Sequence, residues 1–242
     1  MTAADPESLD QLLLVQDHDR AIDALTHKRE SLPELGELKS LDASRQVLNN
    51  KLSEIGDRRH ILGRDQSRLE DQVALVEDRI KEEEGKLYGG QVTGVKDLQA
   101  LQDEIRGLKA RQLTIEDDII TVMEAAEPVD AELQASQAEL AVLVSQTDAV
   151  NERLAEALAV VDAERTETEG LRAAAASGIP AELMSEYDRL RSQPGRVAVA
   201  KLVQGRCHGC HLELAAVEVD RLKKLPVDEL VHCDECGCIL VR

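Results

Sequence analysis

Apolar residues recur with a heptad period over most of the chain, and this period limits the fold more than any other feature. From Leu38 to Leu87, 11 of the 15 a and d positions are apolar, and from Leu98 to Leu171, 17 of 22 are. A 3.5-residue repeat of this length predicts left-handed coiled-coil helices. Because Phe and Trp are absent, a large core built on aromatic side chains is not expected.

A glycine-rich break at residues 88–95 separates the two heptad segments. The flanking segments, 7–87 and 96–176, have equal lengths, which predicts an antiparallel hairpin with the glycines at its tip. Pro33 and Pro128 each remove a helical hydrogen bond and are expected to kink or interrupt their arms. The same heptads also suit a parallel homodimer, but matched arms around a turn favour the hairpin.

The last quarter of the chain has a different character, so we predict two domains: a coiled-coil hairpin over 1–176 and a small domain over 177–242. The small domain is nearly neutral, with nine basic and ten acidic side chains, so almost all of the net charge of −19 lies in the hairpin. Residues 196–203 alternate like a strand. The expected fold class is therefore mainly α with a small C-terminal β domain, which is too short to fold without a staple.

Two Cys-x2-Cys pairs, separated by 22 residues, provide that staple. Cys207, Cys210, Cys233 and Cys236 are predicted to bind one Zn²⁺ tetrahedrally, and a closed four-thiolate site is structural rather than catalytic. A redox dithiol would need a single pair in a βαβ setting, whereas iron suits the same four sulfurs chemically. We expect Cys238 to be a small buried or edge residue on the closing strand, and replacement of Cys236 as a ligand is the less favoured alternative.

Several function classes lack their sequence signals. The chain has no phosphate-binding loop, no His-Glu-x-x-His and no Gly-x-Ser-x-Gly motif, so we do not expect an enzyme, and no small-molecule substrate is evident. No stretch approaches the roughly 20 apolar residues of a membrane span. The N-terminus lacks the basic and apolar regions of a signal peptide. We therefore expect a cytoplasmic protein that does not bind membranes.

Three segments resemble the bacterial C4-type zinc-ribbon, helical-hairpin proteins, a family long classed as a domain of unknown function. They read LYGGQVTGVKDLQALQDEI, GRVAVAKLVQGRCHGCHLEL and LVHCDECGCILV. The few aromatic residues and high alanine content suit an actinobacterial, mycobacterial member. The resemblance implies a kinked antiparallel hairpin with a terminal zinc ribbon, and the four cysteines named above match its zinc ligands. Flagellar relatives are chaperone-like adaptors for a sigma factor that also bind a flagellin messenger RNA, and chlamydial relatives are linked to secretion components.

These features suggest two functions of different classes. The first is a protein-interaction adaptor or chaperone-like factor, whose protein partner is contacted at the hairpin tip through Tyr88, Gly89, Gly90, Val92 and Thr93. The alternative is RNA or DNA binding by a basic surface of the zinc ribbon, formed by Arg189, Arg191, Arg196, Lys201 and Arg206. The acidic hairpin and the shortage of aromatic residues weigh against nucleic acid.

Overall fold

The computed structural model describes residues 5–242 except Gln91 and Pro194. The helices, in chain order, are α1 (Pro6–Glu30), α2 (Pro33–Tyr88), α3 (Val95–Ala176), α4 (Ala181–Arg191) and α5 (Ala216–Lys224). The strands are β1 (Val199–Val203), β2 (Arg206–Cys207) and β3 (Ile239–Val241). The predicted fold class, a helical hairpin followed by a small zinc-ribbon sheet, is confirmed.

The contacts between α2 and α3 show that the hairpin is antiparallel. Apolar seam residues of both helices pack together, among them Val76 and Ile80 of α2 with Ile105 and Ile115 of α3. Ion pairs flank this seam, and their numbering runs in opposite directions along the two helices: Lys109 contacts Glu84 at 2.7 Å, whereas Arg58 contacts Glu132. The heptad pattern therefore closes within one chain.

The two prolines have different effects. Helix α1 ends at Glu30 and α2 begins at Pro33, because the residue before a proline disfavours helical backbone while proline itself suits the first helical position. Pro128, in contrast, lies inside α3, which continues on both sides of it. Its neighbours Ala126 and Val129 are buried in the seam, and this packing holds the helix together where one backbone hydrogen bond is missing.

By packing, the chain divides into two compact units. One consists of residues 36–151, which are the facing parts of α2 and α3. The other, the ribbon unit, combines the N-terminal residues up to Leu35 with residues 152–242, so α1 and the C-terminal end of α3 pack with the ribbon. The domain boundary at residue 177 stays a prediction.

Helix α1 contributes apolar side chains to the core of the ribbon unit. Leu12 and Val15 are fully buried, and they belong to the same cluster as Leu183 and Tyr187 of α4 and Val199 of β1. Burying a side chain of this size stabilises a fold by about 1.5–3 kcal/mol. The ribbon unit therefore depends on residues from both ends of the chain.

A glutamine of α1 binds the backbone of β1 directly. The Gln16 side-chain oxygen Oε1 accepts hydrogen bonds from the backbone N–H groups of Ala198 (3.0 Å) and Val199 (2.9 Å). Its amide nitrogen Nε2 donates to the carbonyl of Val199 at 2.8 Å. These three bonds are buried, and they satisfy strand groups at the start of β1 that face the helix.

A buried carboxylate forms the second polar contact of α1. Asp19 is only 2% exposed and accepts hydrogen bonds from the Tyr187 hydroxyl (2.7 Å) and from Arg172 Nε (2.6 Å). Burial, followed by the hydrogen bond to Asp19, raises the pKa of Tyr187. The Tyr187 hydroxyl therefore keeps its proton and donates a hydrogen bond to Asp19, while Arg172 neutralises the buried charge.

The ribbon sheet has the order β2-β1-β3. Strand β2 pairs antiparallel with β1, with Leu202 opposite Cys207, and β3 pairs parallel with β1, with Val199 opposite Ile239. The sequence predicts strands on both sides of the last cysteine pair. The structure retains this pairing: His232 forms an antiparallel bridge with Ile239, and the backbone N–H groups of Leu240 and Cys233 donate to the carbonyls of Val231 and Cys238, each at 2.9 Å.

Candidate metal centre

Two cysteine pairs converge on one point in the ribbon. The sulfur atoms of Cys207, Cys210, Cys233 and Cys236 all lie within 4.8 Å of one another. Across the two pairs, Cys207 Sγ lies 3.9 Å from Cys236 Sγ, and Cys210 Sγ lies 3.9 Å from Cys233 Sγ. Zinc–sulfur bonds of about 2.3 Å in a tetrahedron place the sulfurs about 3.8 Å apart. The four thiols therefore fit one zinc ion.

Each cysteine pair lies on a tight turn, and the two turns repeat one hydrogen bond. In the first, the backbone N–H of His211 donates to the carbonyl of Cys207 at 2.8 Å; in the second, that of Gly237 donates to Cys233 at 2.7 Å. Both donors have left-handed backbone, with φ of 61° at His211 and 74° at Gly237. Glycine adopts this conformation without strain, whereas histidine does so less readily.

Gly209 allows three groups to approach the first turn closely. A Cβ atom at this position would lie 3.1 Å from the Cβ of Ala200, 3.3 Å from Cys238 Sγ and 3.4 Å from Cys207 Sγ. The backbone N–H of Gly209 donates to Cys207 Sγ at 3.3 Å. Gly209 and Gly237 therefore have different functions: Gly209 leaves room near a sulfur, and Gly237 supplies a left-handed backbone conformation.

The ligand thiols differ in how readily they lose their protons. Burial raises the pKa of Cys207, but hydrogen bonds from the backbone N–H groups of Cys210 and Gly209 outweigh it and lower the pKa to about 7. At Cys233 burial prevails and raises the pKa to about 12. Since zinc binds thiolates, metal binding should release protons from the site, and acid should weaken binding.

The surroundings of the cluster match a structural site. Four sulfur ligands complete a tetrahedral shell and leave no position for the water that catalytic zinc activates. His208 and His211 are exposed and lie outside the group of ligand atoms. When bound, zinc supplies the link between the two turns, while the backbone hydrogen bonds hold each cysteine pair in place.

Cys238, the residue before β3, lies beside the cluster. It is 1% exposed, and its Sγ lies 3.6 Å from Cys207 Sγ and 3.4 Å from Cys236 Sγ. Its burial was expected. Its contact with Cys236 follows from a separation of only two residues, whereas its contact with Cys207, 31 residues away, depends on how the two turns come together.

The predicted partner-binding tip is the turn between α2 and α3. Tyr88, the last residue of α2, is 81% exposed. Gly89 cannot carry a side chain, since a Cβ would lie 2.5 Å from the carbonyl oxygen of Gly85, and Gly90 has φ of 72°. Thr93 is exposed and Val92 half-buried, while Gln91 between them lies outside the described residues.

The five basic residues predicted to contact nucleic acid are divided between ion pairs and solvent. Three of them pair with acidic groups of the same chain: Arg189 with Glu186 (2.6 Å), Arg191 with Asp23 (3.0 Å) and Arg206 with Glu213 (2.8 Å). Arg196 and Lys201 are both exposed. The nucleic-acid surface stays a prediction, with most of its charge already matched locally.

None of the helices in the described residues combines the length and the apolar character of a membrane span.

Comparison with known proteins identifies both parts of the chain. Residues 15–195 match the CT398-like coiled coil hairpin domain, and residues 206–240 match the C4-type zinc ribbon domain. An uncharacterized protein of Mycobacterium tuberculosis, MT2288, is 29% identical over 224 residues, which cover 93% of this chain and 91% of the relative. Rv2229c, from another strain of that species, matches to the same extent.

Solved structures share the same fold. A Mycobacterium smegmatis protein matches with a TM-score of 0.84 and 25% identity, over 99% of this chain and all of the other. CT398 from Chlamydia trachomatis matches with a TM-score of 0.68 and 21% identity, over 96% of both chains. The mycobacterial similarity agrees with the resemblance seen in the sequence.

Proposed function

The chain belongs to the CT398-like coiled coil hairpin family and carries a C4-type zinc ribbon, and on this premise we propose that it is a non-enzymatic adaptor or chaperone-like factor that binds another protein at its hairpin tip. The zinc site supports the non-enzymatic part, because a four-sulfur shell leaves no position for substrate or water. A cytoplasmic location is part of this proposal, because five cysteines with no disulfide between them suit a reducing compartment.

The two tyrosines carry the proposal. They are the only Phe, Trp or Tyr residues in the chain. Tyr187 is fully buried and hydrogen-bonded to Asp19, whereas Tyr88 is 81% exposed at the tip. Tyrosine is enriched among the residues that contribute most to protein–protein binding, because it combines a large apolar ring with a polar end. An exposed tyrosine at the turn is therefore where we place the contact.

The neighbourhood of Tyr88 suggests the kind of partner. Val95, the first residue of α3, is also 81% exposed, so two apolar side chains flank the glycine turn. The helices behind them carry most of the acidic charge of the chain. A partner segment with an apolar patch bordered by basic side chains would complement this surface, with the apolar contact supplying affinity and the charges raising the association rate.

Nucleic-acid binding, the alternative, has weaker support. Three of its five basic residues pair with carboxylates of the same chain, so an incoming phosphate would have to displace them. Only two tyrosines exist to stack bases, and one of them is buried.

The test compares two variants that remove one exposed apolar side chain each. Tyr88→Ala changes the tip, and Leu113→Ala removes a side chain that is 63% exposed on α3, away from the turn. Partners captured from native cells by crosslinking and identified by mass spectrometry should be lost with Tyr88→Ala and kept with Leu113→Ala. Recovery of the same partners from both variants would refute the tip as the contact. RNA recovered with the wild type and lost on reversal of Arg196 and Lys201 would favour the alternative.

A further inference from the structure

The metal cluster contains one sulfur more than a tetrahedral site needs. Cys238 Sγ lies 3.6 Å from Cys207 Sγ and 3.4 Å from Cys236 Sγ. These separations are no longer than the 3.9 Å between the sulfurs of Cys207 and Cys236. By distance alone, Cys238 is as close to two of the ligands as those ligands are to each other.

The backbone fixes Cys238 in this position. Its carbonyl accepts a hydrogen bond from the N–H of Cys233 at 2.9 Å, which ties it to the first ligand of the second turn. The next residue, Ile239, donates to the carbonyl of Ala198 at 2.8 Å and begins β3. Gly209 borders the sulfur, and a Cβ there would lie 3.3 Å from Cys238 Sγ. The side chain is thus held between the strand and the cluster.

The sulfur contacts of Cys238 are also one-sided. They involve Cys207 and Cys236, one ligand from each pair, while the four predicted ligand sulfurs already form a complete group without it. A cysteine that served only as a small apolar core residue would restore zinc binding after the loss of none of the four ligands. A cysteine able to act as a ligand would compensate for the loss of its two neighbours and not for the loss of Cys210 or Cys233.

We propose that Cys238 is a reserve zinc ligand, able to take the place of Cys207 or Cys236. On becoming a ligand, the Cys238 thiol gives up its proton to solvent and binds as a thiolate. The site then keeps four sulfur ligands when either neighbouring sulfur is lost. The short distances from Cys238 Sγ to the sulfurs of Cys207 and Cys236 limit how far its side chain must move to reach either position.

The test measures zinc content in single and double variants purified with Zn²⁺ and then freed of loosely bound metal. Cys236→Ala and Cys207→Ala should each keep about one zinc per chain. The double variants that add Cys238→Ala should lose it. Since loss of a group that only orients a ligand already lowers metal affinity about 10–100-fold, loss of the fourth sulfur should lower it at least as much.

Cys210→Ala and Cys233→Ala are the matched controls, because each removes a ligand whose sulfur Cys238 does not contact. Both should lose zinc whether or not Cys238 is present. If Cys238→Ala makes no difference in the Cys236→Ala and Cys207→Ala backgrounds, the proposal is wrong, whether both proteins keep zinc or both lose it. Equal zinc retention in all four single variants would also overturn it.

A second measurement counts the sulfur ligands of each bound metal ion directly. Cobalt(II) substituted for zinc shows sulfur-to-metal charge-transfer absorption that grows with the number of bound thiolates. Cys236→Ala should match the wild-type intensity per cobalt. Cys236→Ala with Cys238→Ala should either show about three-quarters of that intensity, as expected for three sulfur ligands, or bind no cobalt. Three-thiolate intensity in Cys236→Ala alone would contradict the proposal.

Discussion

Replacing Gln16 with alanine tests whether α1 holds the ribbon through its polar contacts with β1. The substitution removes the acceptor for the N–H groups of Ala198 and Val199 and the donor to the carbonyl of Val199. Gln16 is only 6% exposed, so water does not readily replace the lost amide. The apolar contacts of the neighbouring Val15 remain, which limits the change to the hydrogen bonds.

The expected loss of stability follows from the number of groups left without partners. A buried backbone group that loses its hydrogen bond costs about 1–3 kcal/mol, so three such groups give about 3 kcal/mol at the low end of that range. At about 3 °C for each kcal/mol, the midpoint of thermal unfolding of the ribbon unit should fall by about 10 °C. The loss should appear in the ribbon unit, because all three bonds lie within it.

Tyrosine fluorescence can follow this unit alone. Tyr187 is fully buried beside Asp19, and in a Tyr88→Phe background it is the only tyrosine. Urea unfolding monitored at Tyr187 should show the decrease for Gln16→Ala. Asp17→Ala, which changes an exposed neighbour on the same helix, should shift stability by less than about 0.5 kcal/mol. If the free energy of unfolding of Gln16→Ala differs from that of its parent by less than about 0.5 kcal/mol at equal zinc content, the polar contacts do not hold α1 to the ribbon.

Three further predictions concern single side chains. Ser136 is buried in the α3 seam and its hydroxyl has no hydrogen-bond partner in the described residues, so Ser136→Ala should raise the free energy of unfolding by about 1 kcal/mol, measured in urea. Gly237→Ala should destabilise the zinc-loaded ribbon by about 1 kcal/mol, while His211→Gly should not, because both positions need left-handed backbone. The pKa of Glu83 is held below its usual 4.5, chiefly by the hydrogen bond from Lys86. The ionised carboxylate therefore stabilises the fold above pH 4.5, and this contribution is lost as pH falls through the folded-state pKa. The stability difference between wild type and Glu83→Gln should shrink over that range.

Each of these has an outcome that contradicts it. A destabilised Ser136→Ala variant would mean that the hydroxyl has a partner such as water. Equal effects of alanine at 237 and glycine at 211 would show that backbone conformation does not limit the two turns. A stability difference for Glu83→Gln that stays constant from pH 7 to pH 3 would show that the carboxylate is not stabilised by its ion pairs.

The sequence alone determined the two features that repeat or that follow fixed spacing. The heptads predicted α2 and α3 because a coiled-coil seam is a local property of each helix, readable at every seventh residue. The cysteine spacing predicted the zinc site because one tight turn presents both members of a pair. One polar residue in the seam also has a local explanation. Glu83 occupies a heptad seam position, and its helical neighbours Arg79 and Lys86 pair with it.

The contacts that join α1 to the ribbon become visible only in the folded chain. Gln16 meets Val199 and Asp19 meets Tyr187 across more than 160 residues of chain, and nothing in the local pattern of α1 marks either side chain for burial. The same holds for the contact between Cys238 and Cys207, which lie 31 residues apart in the chain. Periodicity and spacing record contacts within an element or a turn, whereas a single polar contact between distant segments leaves no repeated signal in the sequence.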